Sequence, residues 1–173
     1  MTIRTSIENA GKAMMSALGA NAAPMEADIL ETLKEEHDQV QSLLEKLADS
    51  SNARERKSLV NQIRKALIPH AKAEERVVYN PIIALNDKSA KIDGNEGYIE
   101  HALASETLAK LSKMTKPMSP EFSACAKVLR ELINHHVREE ENNVWAQVRE
   151  HFSAADRARM NREFLAAKKK VKV

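Results

Sequence analysis

Apolar residues recur along most of this chain at intervals of three, four and seven. Ile29, Leu33, His37, Val40, Leu44 and Leu47 form one such stripe, separated by charged residues. That spacing collects side chains on one face of a helix and predicts a first helix over about residues 27–48. A second stripe runs through Leu59, Ile63, Leu67, His70, Glu74 and Val77 and predicts a helix over 53–85. Tyr98, His101, Ser105, Leu108 and Leu111 predict a third over 96–114. Phe122, Ala126, Leu129, Ile133, His136, Glu140 and Val144 predict a fourth, ending near residue 151. Ser119-Pro120-Glu121 opens it with an N-cap residue and a proline at the first helical position. Residues 86–97, with Asp, Asn and two glycines, read as a loop containing a helical start. Pro69 lies inside the second pattern, where it either kinks one helix or divides two. Ser153 caps a last, shorter amphipathic helix that ends in Lys168-Lys169-Lys170-Val171-Lys172.

Long amphipathic helices joined by short connections predict an all-α, up-down-up-down four-helix bundle over residues 27–152. An N-terminal arm over 1–26 and a C-terminal helix with a basic tail over 153–173 flank it. Composition supports this: among 173 residues there are 4 Gly and 5 Pro, and aromatics make up only 3%. The formal net charge is +2, which gives no reason to expect nucleic acid or a membrane surface as partner. No apolar run approaches the ~20 residues needed to span a bilayer. The apolar stretch at 13–18 is too short and mixed for a secretory signal, so the sequence reads as cytoplasmic. Cys125 is alone, which excludes an intramolecular disulfide. Nothing in the sequence names a protein partner.

The inward stripes are interrupted by ionisable residues. His70-Ala71-Lys72-Ala73-Glu74-Glu75 and His136-Val137-Arg138-Glu139-Glu140-Glu141 repeat one pattern, His-x-x-x-Glu-Glu. Val78-Tyr79 and Val144-Trp145 follow at matching offsets. A His and a Glu four residues apart lie one turn apart on one helix face. With His37 and His101, six such groups point to the core: His37, His70, Glu74, His101, His136 and Glu140. Counting from the helix ends brings the four histidines within one or two turns of a common height. A buried carboxylate without a partner loses its hydration at heavy cost, and two of them repel unless a cation lies between. Histidine and carboxylate ligands without thiolate suit iron or manganese, with zinc as a further option. Two carboxylates can bridge two metals while two imidazoles bind each, leaving positions open for a small ligand.

Around this set, Glu75 and Glu141 lie ~100° off the ligand face. They either orient ligand histidines or stand exposed at the helix shoulder. Tyr98, one turn before His101, either packs in the core or touches the metal pocket. His135 reads as a flanking surface residue, and His151 as no ligand.

The order His37, His70-x-x-x-Glu74, Glu100-His101, His136-x-x-x-Glu140 resembles the hemerythrin-like HHE cation-binding family, over about residues 28–151. The resemblance implies a non-haem diiron centre, oxo- or hydroxo-bridged, in a four-helix bundle. His37, His70, His101 and His136 would be terminal ligands, and Glu74 and Glu140 bridging carboxylates. Oxygen carriers of the family place a second histidine one turn after the helix-three ligand, where this chain has Ser105. They also carry an Asp five residues after the last His, whereas Glu140 follows His136 by four. Both departures favour the broader HHE group, with Tyr98 or solvent filling the position at Ser105. Three functions follow as expectations. One is a diiron protein that binds or senses O2, NO or peroxide, for instance in a stress response. Another is an enzyme-like role in peroxide disproportionation, or in iron donation to iron–sulfur cluster repair. The last is a metal-free helical interaction protein.

Overall fold

The computed structural model describes residues 27–173; the expected arm over 1–26 lies outside them. The described chain is all helical, with no strand among the described residues. Helix α1 is Ile29–Asp49 and α2 is Ala53–Glu74. A π-helical turn, Glu75–Tyr79, joins α2 without a break to α3, Asn80–Ala84. Helix α4 is Lys88–Lys113 and α5 is Pro120–Glu139. A second π-helical turn, Glu140–Val144, leads into α6, Trp145–His151. Helix α7, Ala154–Lys168, ends the fold.

Local chemistry sets most of these boundaries. The Asp28 carboxylate accepts from Leu30 N at the start of α1, and Asn52 accepts from Arg54 N and Glu55 N at the start of α2. Ser119 and Pro120 start α5 as the sequence predicts, and Ser153 and Asp156 form a capping box on α7. Pro69 divides nothing, because α2 runs through it. The expected loop over 86–97 is a correction. Asp87 caps α4, which begins at Lys88 and continues through both glycines. Gly94 and Gly97 are buried, and they serve close packing rather than a turn.

Helix α1 packs on α2 and α5, and α4 packs on the same two, so the long helices close a ring around one interior. That interior has two apolar layers. One gathers Leu44, Leu47, Ile63, Leu108, Leu111, Phe122 and Leu129. The other gathers Ile29, Leu33, Val78, Tyr79, Ile82, Val148 and Phe164. Burying each large apolar side chain contributes about 1.5–3 kcal/mol, so the two layers hold the four helices firmly in register. The ionisable residues of the stripes lie between them. Helix α7 packs on α1 and α2, and Arg157 ties it to the α1 cap through Asp28 Oδ2 at 2.6 Å.

The approach of α4 to the π turn after α2 depends on Gly97. A Cβ there would lie 2.6 Å from Tyr79 Cζ, well inside contact distance. Overpacking costs about 1–3 kcal/mol, and Ala gains about 1 kcal/mol of helix propensity over Gly. A clash this short against a buried ring falls in the upper half of that range, so Gly97→Ala should lose roughly 1–2 kcal/mol of stability by urea denaturation. An unchanged or higher urea midpoint would mean that the Tyr79 ring moves aside freely.

Candidate metal centre

Each of the four long helices sends one histidine into the layer between the apolar clusters. His37, His70, His101, His136, Glu74 and Glu140 are all 4% exposed or less. They meet as two linked groups. His37, His70 and Glu74 bring one nitrogen or oxygen each within 4.8 Å of one another, and so do Glu74, His101 and His136. Glu74 Oε2 lies 3.3 Å from His70 Nε2 and 3.4 Å from His101 Nε2. Glu140 Oε2 spans the other pair, 3.3 Å from His37 Nε2 and 3.4 Å from His136 Nε2. Each carboxylate thus reaches one imidazole of each group. The six residues named from the sequence all converge here.

The outer nitrogen of each imidazole faces a carboxylate of a neighbouring helix. Glu36 Oε2 on α1 is 3.0 Å from His70 Nδ1 on α2. Glu75, after α2, is 3.5 Å from His101 Nδ1 on α4. Glu100 Oε2 on α4 is 2.7 Å from His136 Nδ1 on α5. Glu141, after α5, is 3.1 Å from His37 Nδ1 on α1. The Glu75 contact is long and misaligned, leaving His101 Nδ1 without a hydrogen bond, so it is the weakest of the four. In His37, His70 and His136 the carboxylate bonded to Nδ1 fixes the tautomer and turns Nε2 inward, as metal-ligating imidazoles require. Glu75 and Glu141 were candidates from the sequence. Glu36 and Glu100 were missed as supports, although the repeated Glu-His of Glu36-His37 and Glu100-His101 was a signal for them.

The inward atoms fit a cation better than one another. His37 Nε2, Glu74 Oε1 and Glu140 Oε2 are fully buried and have no hydrogen-bond partner. His37 Nε2 and Glu140 Oε2 stand 3.3 Å apart, but the angle between them is not that of a hydrogen bond. Unpartnered lone pairs converging on one region suit an ion held between them. Comparison with known proteins agrees, for residues 28–148 match the hemerythrin HHE cation binding domain. The chain belongs to the hemerythrin HHE cation-binding family. Membership implies metal cation binding, and the two buried groups are the residues available for it. The chain is also similar to a DNA nickase of Nostoc sp. (strain PCC 7120 / SAG 25.82 / UTEX 2576), 28% identical over 159 residues. That alignment covers 92% of this chain but only 44% of the relative, so the chain spans less than half of that protein's length. No solved structure matches it.

In this HHE domain the tyrosine at the centre is Tyr79. Its hydroxyl lies 3.3 Å from Glu140 Oε1, 3.4 Å from Glu74 Oε2 and 3.4 Å from His101 Nε2. Tyr98 stands behind it, with ring centroids 5.7 Å apart, and bonds Asn80 Oδ1 and the Glu75 carbonyl. Of the two tyrosines it is Tyr79, and not the Tyr98 considered from the sequence, whose hydroxyl lies among the ligand atoms. Ser105 itself is half-buried one turn after His101. The reason that Tyr79 reaches them is the π turn. At 100° per residue Tyr79 would point about 140° away from Glu74. Asn80 N instead bonds the Glu75 carbonyl, five residues back, and the wider turn swings Tyr79 toward Glu74. The matching turn in the other half bonds Trp145 N to the Glu140 carbonyl. There Trp145 stacks on His37, with centroids 5.9 Å apart. Helix α7 adds Phe164 edge-on to His70, and Lys168 paired with Glu36. His135 and His151 are exposed.

Without metal, protons hold this layer together. Burial alone would depress His37, but the adjacent carboxylates of Glu140 and Glu141 override it and raise its pKa to about 10. His101 rises in the same way to about 9, through Glu74 and Glu75, and His70 rises through Glu74 and Glu36. Burial favours the neutral form of Glu74, yet His70 and His101 hold it well below the usual carboxylate range. Glu36, Glu75 and Glu100 are lowered likewise against their burial. Raised histidines stabilise the fold fully below their ordinary pKa of about 6.5, and that contribution is lost as pH rises through 9 to 10. Lowered carboxylates stabilise it above about 4.5, and that contribution is lost as pH falls. The chelated protein should therefore have its highest urea midpoint between about pH 4.5 and 6.5 and lose stability steadily toward pH 10. A flat midpoint from about pH 6.5 to 10 would contradict this protonation pattern.

Proposed function

We propose that this protein is a non-haem diiron protein of up-down-up-down bundle form, working in the cytoplasm, that binds or senses O2, NO or peroxide. His37 and His70 would hold one iron, His101 and His136 the other, and Glu74 and Glu140 would be shared. The observation that carries this reading is that Glu74 belongs to both buried ligand groups. Manganese or zinc would fit the same donors. Two irons held there would supply a redox-active pair with room for an exogenous ligand.

The protein's own residues limit that ligand. The cleft that reaches Glu140, His136 and Tyr79 has a volume of about 10 Å³, room for about one water-sized molecule. Tyr79 Oη keeps its proton, because burial and the charges of Glu140 and Glu74 push its pKa well above the ordinary value. It can donate a hydrogen bond to a small anionic or polar ligand. Apolar layers on both sides exclude bulk water. The relative's name, DNA nickase, suggests strand cleavage, but ligands exposed by 4% or less do not reach a phosphodiester. Metal-loaded protein is expected to nick supercoiled plasmid no faster than free iron does.

Protein purified without chelator should carry about two irons per chain by elemental analysis. Glu74→Ala should lose most of that iron, whereas His151→Ala should keep it. A folded chain that takes up no Fe(II), or equal loss in both variants, would remove this reading. Spectra of the reduced protein before and after O2, NO and peroxide then separate reversible binding from turnover.

A further inference from the structure

A third group of ligand-type residues lies outside the core. Glu96, Glu100 and His135 bring two carboxylate oxygens and one imidazole nitrogen within 4.8 Å of one another on α4 and α5. Glu100 joins this group to the buried layer. Its Oε1 is 3.3 Å from His135 Nε2, while its Oε2 is 2.7 Å from His136 Nδ1. Glu96 and Glu100 also line the narrow cleft between α4 and α5, together with Asp93, Glu139 and Glu140. No Lys or Arg lines that cleft. Burial deepens along it: Glu96 is exposed, Asp93, Glu100 and Glu139 are half-buried, and Glu140 is 2% exposed. Glu140 Oε2, at the inner end, has no hydrogen-bond partner.

We propose that Glu96, Glu100 and His135 form an outer divalent-cation site, which captures Fe(II) and passes it along the acidic cleft to the core. The transfer role rests on the reading of the core as an iron site. Five carboxylates line this cleft, with Arg138 paired to Glu139 alone and Lys88 and Lys91 bordering the outer groove of Glu96 and Glu100. That excess of negative charge attracts a divalent ion, and mixed oxygen and imidazole donors suit Fe(II). The cleft, at about 10 Å³, cannot admit an ion with its hydration shell. Water must therefore be exchanged for protein ligands at the mouth, where three donors already converge. No redox step is involved; the ion keeps its charge and trades water for carboxylate and imidazole. Arg138, which touches His135 Nδ1 at 2.9 Å and pairs with Glu139 Oε1 at 3.5 Å, is 64% exposed, so it must turn aside into solvent as an ion enters.

The test is stopped-flow Fe(II) uptake by the chelated full chain, comparing wild type, Glu96→Gln, His135→Ala and the charge-matched control Glu106→Gln. Glu96→Gln and His135→Ala should each slow uptake about five- to ten-fold, with the final iron content unchanged and the control equal to wild type. Equal rates in all four proteins, or equal slowing in the control, overturn the proposal and leave the core reading standing. If the wild type takes up no iron, the core reading falls instead. Mn(II) titration followed by electron paramagnetic resonance then decides the outer site. An ion bound by wild type but not by Glu96→Gln sustains it, and binding by neither overturns it.

Discussion

The structure depends on a layer of charge that has been taken out of water. Six ligand-type groups lie between two apolar clusters, each 4% exposed or less. Removing an ion from water costs several kcal/mol even after relaxation, so such a layer persists only if each group has a counter-charge. In the absence of metal, imidazolium and carboxylate supply it to one another. The alignment is imperfect, as the unpartnered His37 Nε2, Glu74 Oε1 and Glu140 Oε2 show. A cation in the middle is the simpler partner for all three. Fold and site are thus one problem, and the apolar layers hold the helices close enough for the charges to meet.

The features that carry the chemistry are those that repeat. Helices α1 and α2 supply Glu36-His37 and His70-x-x-x-Glu74-Glu75; α4 and α5 supply Glu100-His101 and His136-x-x-x-Glu140-Glu141. The two halves differ most where Tyr79 in one matches Trp145 in the other. One places a hydroxyl among the ligands, and the other lays an indole along His37. The interior is therefore polar toward His101 and drier toward His37.

Much of this was legible in the sequence, because helical spacing alone puts the six ligand-type residues on inward stripes. Period and charge sufficed for His37, His70, Glu74, His101, His136 and Glu140. What was not legible had a geometric cause. Tyr79 sits off the ligand face of any regular α-helix, and only the extra residue of the π turn brings it in. Gly94 and Gly97 read as loop residues because sequence does not distinguish a glycine that permits a turn from one that admits a neighbour's side chain. Glu36 and Glu100 act across helices, on histidines of a different element, and only the repeated Glu-His dipeptide, not helical spacing, pointed to them. The part of α7 in covering His70 through Phe164 likewise depends on packing between distant segments.

The carboxylates behind the imidazoles run in one direction around the bundle: α1 supports α2, α2 supports α4, α4 supports α5, and α5 supports α1. Every helix both gives and receives. The hairpin α1–α2 by itself would satisfy His70 through Glu36 but leave His37 without Glu141. Neither repeated half is a self-sufficient half-site, despite carrying a full copy of the motif. The circle closes only when the last long helix docks, so all four imidazoles are supported together only in the complete bundle. A helix that drifts releases two rings at once, its own and its neighbour's.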